Sequence, residues 1–135
     1  MKALKIENIL KQLEANTYEA LNIASTILDS WGCTDSEKAT ILGISVNTYL
    51  AFKQGWEDIA LNARQLECAS YIFNIHQTLL AIFSNRQNTN GFMRMVNNNE
   101  YFSGRTPLDI ILGASCKTTA LRQVFNRIDS LSAGL

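Results

Sequence analysis

Apolar residues recur along this chain at helical spacing, and nowhere do they alternate over a useful length as a half-buried strand would. Leu4, Ile6, Ile9, Leu10 and Leu13 share one face of a first helix. Asn16 and Glu19 form a cap pair for a second, with the stripe Tyr18, Leu21, Leu28 and Trp31, and Ala24 or Ile27 between; Gly32 stops it. Asp35 or Ser36 starts a short helix ending at Gly43, and Ser45 caps another ending at Gly55. The longest stripe, Leu66, Ala69, Ile72, Phe73, His76, Leu79, Leu80 and Phe83, predicts a helix over 63–83. Residues 84–90 read as a polar loop and 91–96 as one or two helical turns. Behind the asparagine run 97–99, Ser103-Gly104 reads as a tight loop and Thr106 as a cap, with Pro107 first in the helix and Asp109 in its first turn. Gly113 then offers a residue tolerant of positive φ after Ile110-Ile111-Leu112. Leu121, Val124, Phe125, Ile128 and Leu131 predict a last helix from Ser115 or Lys117 to Leu131. The expected fold is all-α, in two units, 1–58 and 59–135. Their boundary near 56–62 is soft, because the long helix should pack on both sides.

The segment 35–54, DSEKATILGISVNTYLAFKQ, fits a helix-turn-helix position by position. Ala39 is the small residue that two steeply crossing helices need, and Gly43 gives the turn its backbone freedom. Leu42, Ile44, Tyr49 and Phe52 are the apolar anchors. A bare helical hairpin is the alternative. If the second helix enters a major groove, Ser45, Val46, Asn47, Thr48, Leu50 and Ala51 are its outward positions, with Asn47 the one good adenine reader. Lys38, Lys53 and either Lys2 or Lys5 would then contact phosphates.

Composition narrows the function. Lys plus Arg and Asp plus Glu balance at 12 each, so a strong non-specific nucleic-acid binder is disfavoured and any DNA contact must come from a local patch or its doubling in a dimer. A single proline, few glycines and abundant Leu, Ile and Ala agree with helices throughout. Cys33, Cys68 and Cys116 are odd in number and widely spaced, which reads as reduced thiols in the cytoplasm. Charges inside the apolar pattern of MKALKIENILKQLEA argue against a signal peptide. Residues 68–85 carry no charge, but Ser, Asn, His, Gln and Thr interrupt them, as in a buried helix. His76, the only histidine, lies in the apolar stripe and reads as a core or interface residue rather than a base or ligand. No nucleophile elbow, phosphate-binding glycine loop, paired carboxylates or metal-ligand spacing is present, so neither an enzyme nor a cofactor is expected.

Two stretches carry a family resemblance. YFSGRTPLDIILG, residues 101–113, resembles the signature of the C-terminal toxin-binding domain of Xre/MbcA/ParS-type antitoxins. WGCTDSEKATILGISVNTYLAFKQG resembles the N-terminal helix-turn-helix of the same family, although Leu50-Ala51 stands where an aromatic and a basic residue are usual. LNARQLECASYIFNIHQTLLAIF and LRQVFNRIDSL extend the similarity, which covers roughly residues 28–135. The resemblance implies a homodimeric antitoxin. Its C-terminal domain would cover the active-site cleft of a RES-domain toxin that consumes NAD, and its helix-turn-helix would bind operator DNA to repress its own operon. It further implies toxin contact by the tail, Ser132, Ala133, Gly134 and Leu135, and by Arg105. Arg105 has a second reading, as an anchor of its own loop through the carbonyls of residues 98–102. The alternative to the whole is a stand-alone dimeric helix-turn-helix regulator.

Overall fold

In the computed structural model, residues 17–56 and 58–133 are described, and they form an all-α protein. The helices are α1 (Thr17–Ser30), α2 (Asp35–Leu42), α3 (Val46–Lys53), α4 (Ala63–Ile82), α5 (Arg86–Gly91), α6 (Pro107–Gly113) and α7 (Lys117–Ala133), with a 3₁₀ turn at Phe92–Arg94. The expected helix over residues 4–13, Lys2, Lys5 and the Asn16 cap lie outside the described residues. None of the described helices is long and apolar enough to cross a membrane.

The central element is α4. Asn62 and Gln65 close a reciprocal capping box at its start, at 2.8 and 2.9 Å. The helix is sandwiched between α1 and α7, so its buried surface is broader than one stripe. Ile75 is fully buried, whereas the expected core residue Leu80 is 42% exposed and Phe73 and His76 are half-buried. Enclosure also takes in Ser70 and Thr78, whose hydroxyls donate to the carbonyls of Leu66 and Asn74, one turn back. α4 and α7 run parallel: Cys68 meets Thr118 near both N-terminal ends, and Tyr71 faces Phe125 further along. Leu121, Val124 and Ile128 seal the α7 side completely, while Leu131 lies beyond the core at 44% exposure.

One hydrophobic core joins Leu21, Leu28 and Trp31 of the N-terminal half to Met93, Phe102 and Leu108 of the C-terminal half. Arg94 ties the halves together. Its Nε donates to the Trp31 carbonyl at 2.7 Å, and a terminal nitrogen reaches the Gly32 carbonyl at 2.8 Å and the Glu37 carboxylate at 3.3 Å. Glycine suits position 32: its φ is +78°, and an added Cβ would lie 3.0 Å from Arg94 Nε.

Two local expectations are corrected. Residues 84–90 are not simply a loop, since Asn85 caps α5 by accepting from the Asn88 N–H at 2.8 Å. That helix is so polar that no apolar period marks it. Gly113 ends α6 without a positive φ, and extended Ala114 follows it. α2 starts at Asp35, one of the two expected positions, and Thr34 caps it in a capping box with Glu37. Thr106 and Pro107 do start α6 as anticipated, with the Thr106 hydroxyl accepting from the Asp109 N–H at 3.0 Å.

Candidate recognition surfaces

The α2–α3 pair is built around Gly43, whose φ of +73° lets the chain leave α2 and re-enter at Ser45. Ala39, Leu42, Tyr49 and Phe52 are all buried and Ile44 is half-buried. Tyr18 of α1 packs on Phe52, and the Tyr49 hydroxyl and Ser25 Oγ lie 2.5 Å apart. The outer surface carries Ser45, Val46, Asn47 and Leu50, with Thr48 and Ala51 half-buried beside them. The Ser45 hydroxyl is committed locally: it accepts from the Thr48 N–H at 3.0 Å and donates to the Thr48 hydroxyl at 2.8 Å. Val46 and Leu50 are each about 40% exposed, so this face is apolar around Asn47.

The expected phosphate contacts fare differently. Lys38 does not face outward: its side chain is only 6% exposed, with Nζ 2.8 Å from Asp29 Oδ1, 3.9 Å from Asp35 and 5.6 Å from the Tyr49 ring centre. It shares the inward face of α2 with Ile41 and Leu42, three and four residues on. Burial works against its charge, but Asp29 and the Tyr49 hydroxyl hold its pKa above the ordinary lysine value. The same hydrogen bond holds Asp29 below the ordinary carboxylate value. Lys53 is half exposed and bonds both Asp35 oxygens at 3.1 and 3.3 Å. The two lysines of this unit therefore face carboxylates of their own chain.

The second surface follows α5. Met95 and Val96, consecutive and 56% and 63% exposed, lead into the asparagine loop. Asn97 and Asn99 fold that loop on themselves: their side-chain oxygens accept from the N–H groups of Asn99 and Phe102 at 3.0 and 3.1 Å. The Asn97 N–H donates to the Arg105 carbonyl at 3.1 Å, and Gly104 N–H to the Asn97 carbonyl at 2.8 Å. Arg105 is exposed, and its Nε donates to the Phe102 carbonyl at 3.3 Å, the geometry of a loop anchor. Of the tail, α7 extends through Ser132 and Ala133, while Gly134 and Leu135 lie outside the described residues.

One feature of this surface escaped the sequence reading. Tyr101, Gln123, Asn126, Arg127 and Ser130 line a shallow cleft of about 190 Å³ on the polar side of α7. The Tyr101 hydroxyl donates to Gln123 Oε1 at 3.1 Å, and the Arg127 guanidinium lies 4.9 Å from the Tyr101 ring centre. Burial raises the Tyr101 pKa, so the phenol stays a donor. The signal was available in Gln123 and Arg127, four apart on the polar face of a helix whose apolar face was already assigned. Among the described residues, no group of His, Cys, Asp and Glu could hold a metal ion. The chain matches no protein-family model, no curated protein and no solved structure.

Proposed function

We propose that this protein is an antitoxin of the Xre/MbcA/ParS type, which neutralises a co-encoded RES-domain, NAD-consuming toxin by covering its active site. The observation that carries this reading is the occurrence, in order on one chain, of WGCTDSEKATILGISVNTYLAFKQG and YFSGRTPLDIILG. The exposed Met95-Val96 pair and the cleft lined by Tyr101 and Arg127 support it, as exposed apolar residues and polar anchors both suit a protein partner. The protein acts as a homodimer in the cytoplasm. Operator binding through α3 is its second activity, with Asn47 reading a base and Lys53 near a phosphate; internal pairing of Lys38 and Lys53 makes that binding weak.

The test is co-expression with the product of the adjacent gene. A stable complex and relief of that product's growth inhibition are expected, and removing residues 132–135 should weaken inhibition without affecting dimerisation. If no complex forms while the pure chain still shifts its own upstream DNA, the stand-alone dimeric regulator is the correct reading.

A further inference from the structure

Next to the turn between α2 and α3 lies a cavity of about 280 Å³, lined by Gly43, the first turns of α4 and α7, Arg64, and two of the three cysteines, Cys68 and Cys116. Because α4 and α7 run parallel at this end, both helices turn the positive ends of their dipoles toward it. Cys116 occupies the N-cap position of α7: its carbonyl accepts from the Ala120 N–H at 3.1 Å, and its exposed sulfur accepts from the Thr119 hydroxyl at 3.2 Å. The Thr119 bonds, the Arg64 charge and the Thr118 N–H lower its pKa, as for reactive thiols at helix N-termini. Cys68 is 3% exposed and lies 3.5 Å from the Thr118 hydroxyl, and burial raises its pKa. Arg64, one turn before Cys68, forms no ion pair among the described residues, and its charge acts on both sulfurs.

We propose that Cys116 is a peroxide-reactive thiol and that Cys68, in the wall of the same cavity, resolves it into an intramolecular disulfide. The Cys116 thiolate attacks one oxygen of a hydroperoxide. An S–O bond forms, the O–O bond breaks, and the other oxygen leaves as hydroxide or alkoxide and takes up a proton. Cys68 then gives up its proton and attacks the sulfenic sulfur; the S–S bond forms, the S–O bond breaks and water leaves. The sulfur pair loses two electrons and the peroxide gains them. The difference between the thiols sets the order: the exposed one meets the oxidant, and the buried one meets only its neighbour. Closure draws on the link 114–116, which belongs to neither α6 nor α7. The product would tie α7 to the first turns of α4, where Gln65 Nε2 already holds the Gly43 carbonyl at 2.8 Å.

Cys33 is the internal control: it is buried, and desolvation with Glu37 nearby pushes its thiol up to about 11. The full-length chain, reduced and then given a modest excess of hydrogen peroxide, should lose the mass of two hydrogens. It should also yield a tryptic peptide joining Cys68 to Cys116 that reductant splits. Cys68→Ala should leave Cys116 as a sulfenic acid trapped by dimedone, and Cys116→Ser should give neither product. Arg64→Gln should slow alkylation of Cys116, because it removes a positive charge that favours the thiolate. Three results overturn the proposal, all read on the unaltered chain so that no variant need fold: a Cys116 disulfide joining two copies, Cys116 reacting no faster than Cys33, or passage to sulfinic acid without a link to Cys68.

Discussion

The α2–α3 pair and the stretch 92–113 are built alike, each setting a turn beside a short capped helix, yet they give their cations different partners. In the first, Lys38 and Lys53 turn back onto Asp29 and Asp35, and what faces outward is Val46, Asn47 and Leu50. In the second, Arg94 reaches across to two carbonyls at the end of α1, Arg105 holds its own loop, and the exposed residues are Met95 and Val96. In both units the charge is satisfied within the chain, by carboxylates in the first and chiefly by backbone carbonyls in the second. The unit with the weaker periodicity offers the more exposed apolar pair. A basic residue within a motif is therefore no guide to a basic surface until its face on the helix is known.

The largest effect should come from Arg94, where the two regions meet. Arg94→Ala removes charge-assisted bonds to the Trp31 and Gly32 carbonyls and the Glu37 pair. The expected loss is about 2–3 kcal/mol in urea unfolding, or on the order of 10 °C in Tm. Gly32→Ala should cost about 1–2 kcal/mol through its left-handed backbone and the approach of Arg94. Combining the two should cost less than their sum, because both act on one contact. Full additivity would mean that Arg94 does not act as the clamp between the halves.

A smaller effect, visible in binding rather than folding, separates the two surfaces. Met95→Asp with Val96→Asp should leave stability within about 0.5 kcal/mol, since both residues are already exposed. It should weaken the proposed toxin complex roughly tenfold or more, as charge is placed in an apolar contact. Val46→Asp with Leu50→Asp on α3 should leave that complex intact and abolish any operator shift. A reversal, with the α3 pair disrupting the toxin complex, would move the docking face to the α2–α3 unit.

Much of the fold was legible where apolar spacing and a cap coincide. Ser45, Thr106 with Pro107, and the Leu121–Val124–Ile128 stripe all sit where their chemistry requires. α5 was not legible, because its helix rests on asparagine capping and the buried Thr89 rather than on an apolar face. The burial of Ile75 and exposure of Leu80 depend on which neighbours enclose α4, information that lies in residues far along the chain. Of the surfaces, Asn47 and Leu50 were placed outward from the turn geometry alone. Lys38 was misplaced because its charge was weighed before its three- and four-residue spacing from Ile41 and Leu42.

That misplacement gives the smallest effect and a sharp discriminator. Lys38 and Asp29 form a pair with one buried and one 72% exposed partner, so water screens much of the attraction. A double-mutant cycle with Lys38→Met and Asp29→Asn should give a coupling of about 0.5–1 kcal/mol. Its pH dependence has a definite sign. The Asp29 pKa is depressed on folding, so its contribution is present above the unfolded value of 3.8 and is lost as pH falls through the lower folded value. The Lys38 pKa is raised, so its contribution is present below the unfolded value of 10.5 and is lost as pH rises through the higher folded value. The coupling should therefore be flat from about pH 5 to 9 and vanish at acid pH. Lys38→Met should leave the salt dependence of any operator binding unchanged, whereas Lys53→Met should reduce its slope by about one phosphate contact. Were Lys38→Met to flatten that slope instead, its ion pair with Asp29 would have to open on DNA, and the α2–α3 unit would hold a basic surface in reserve.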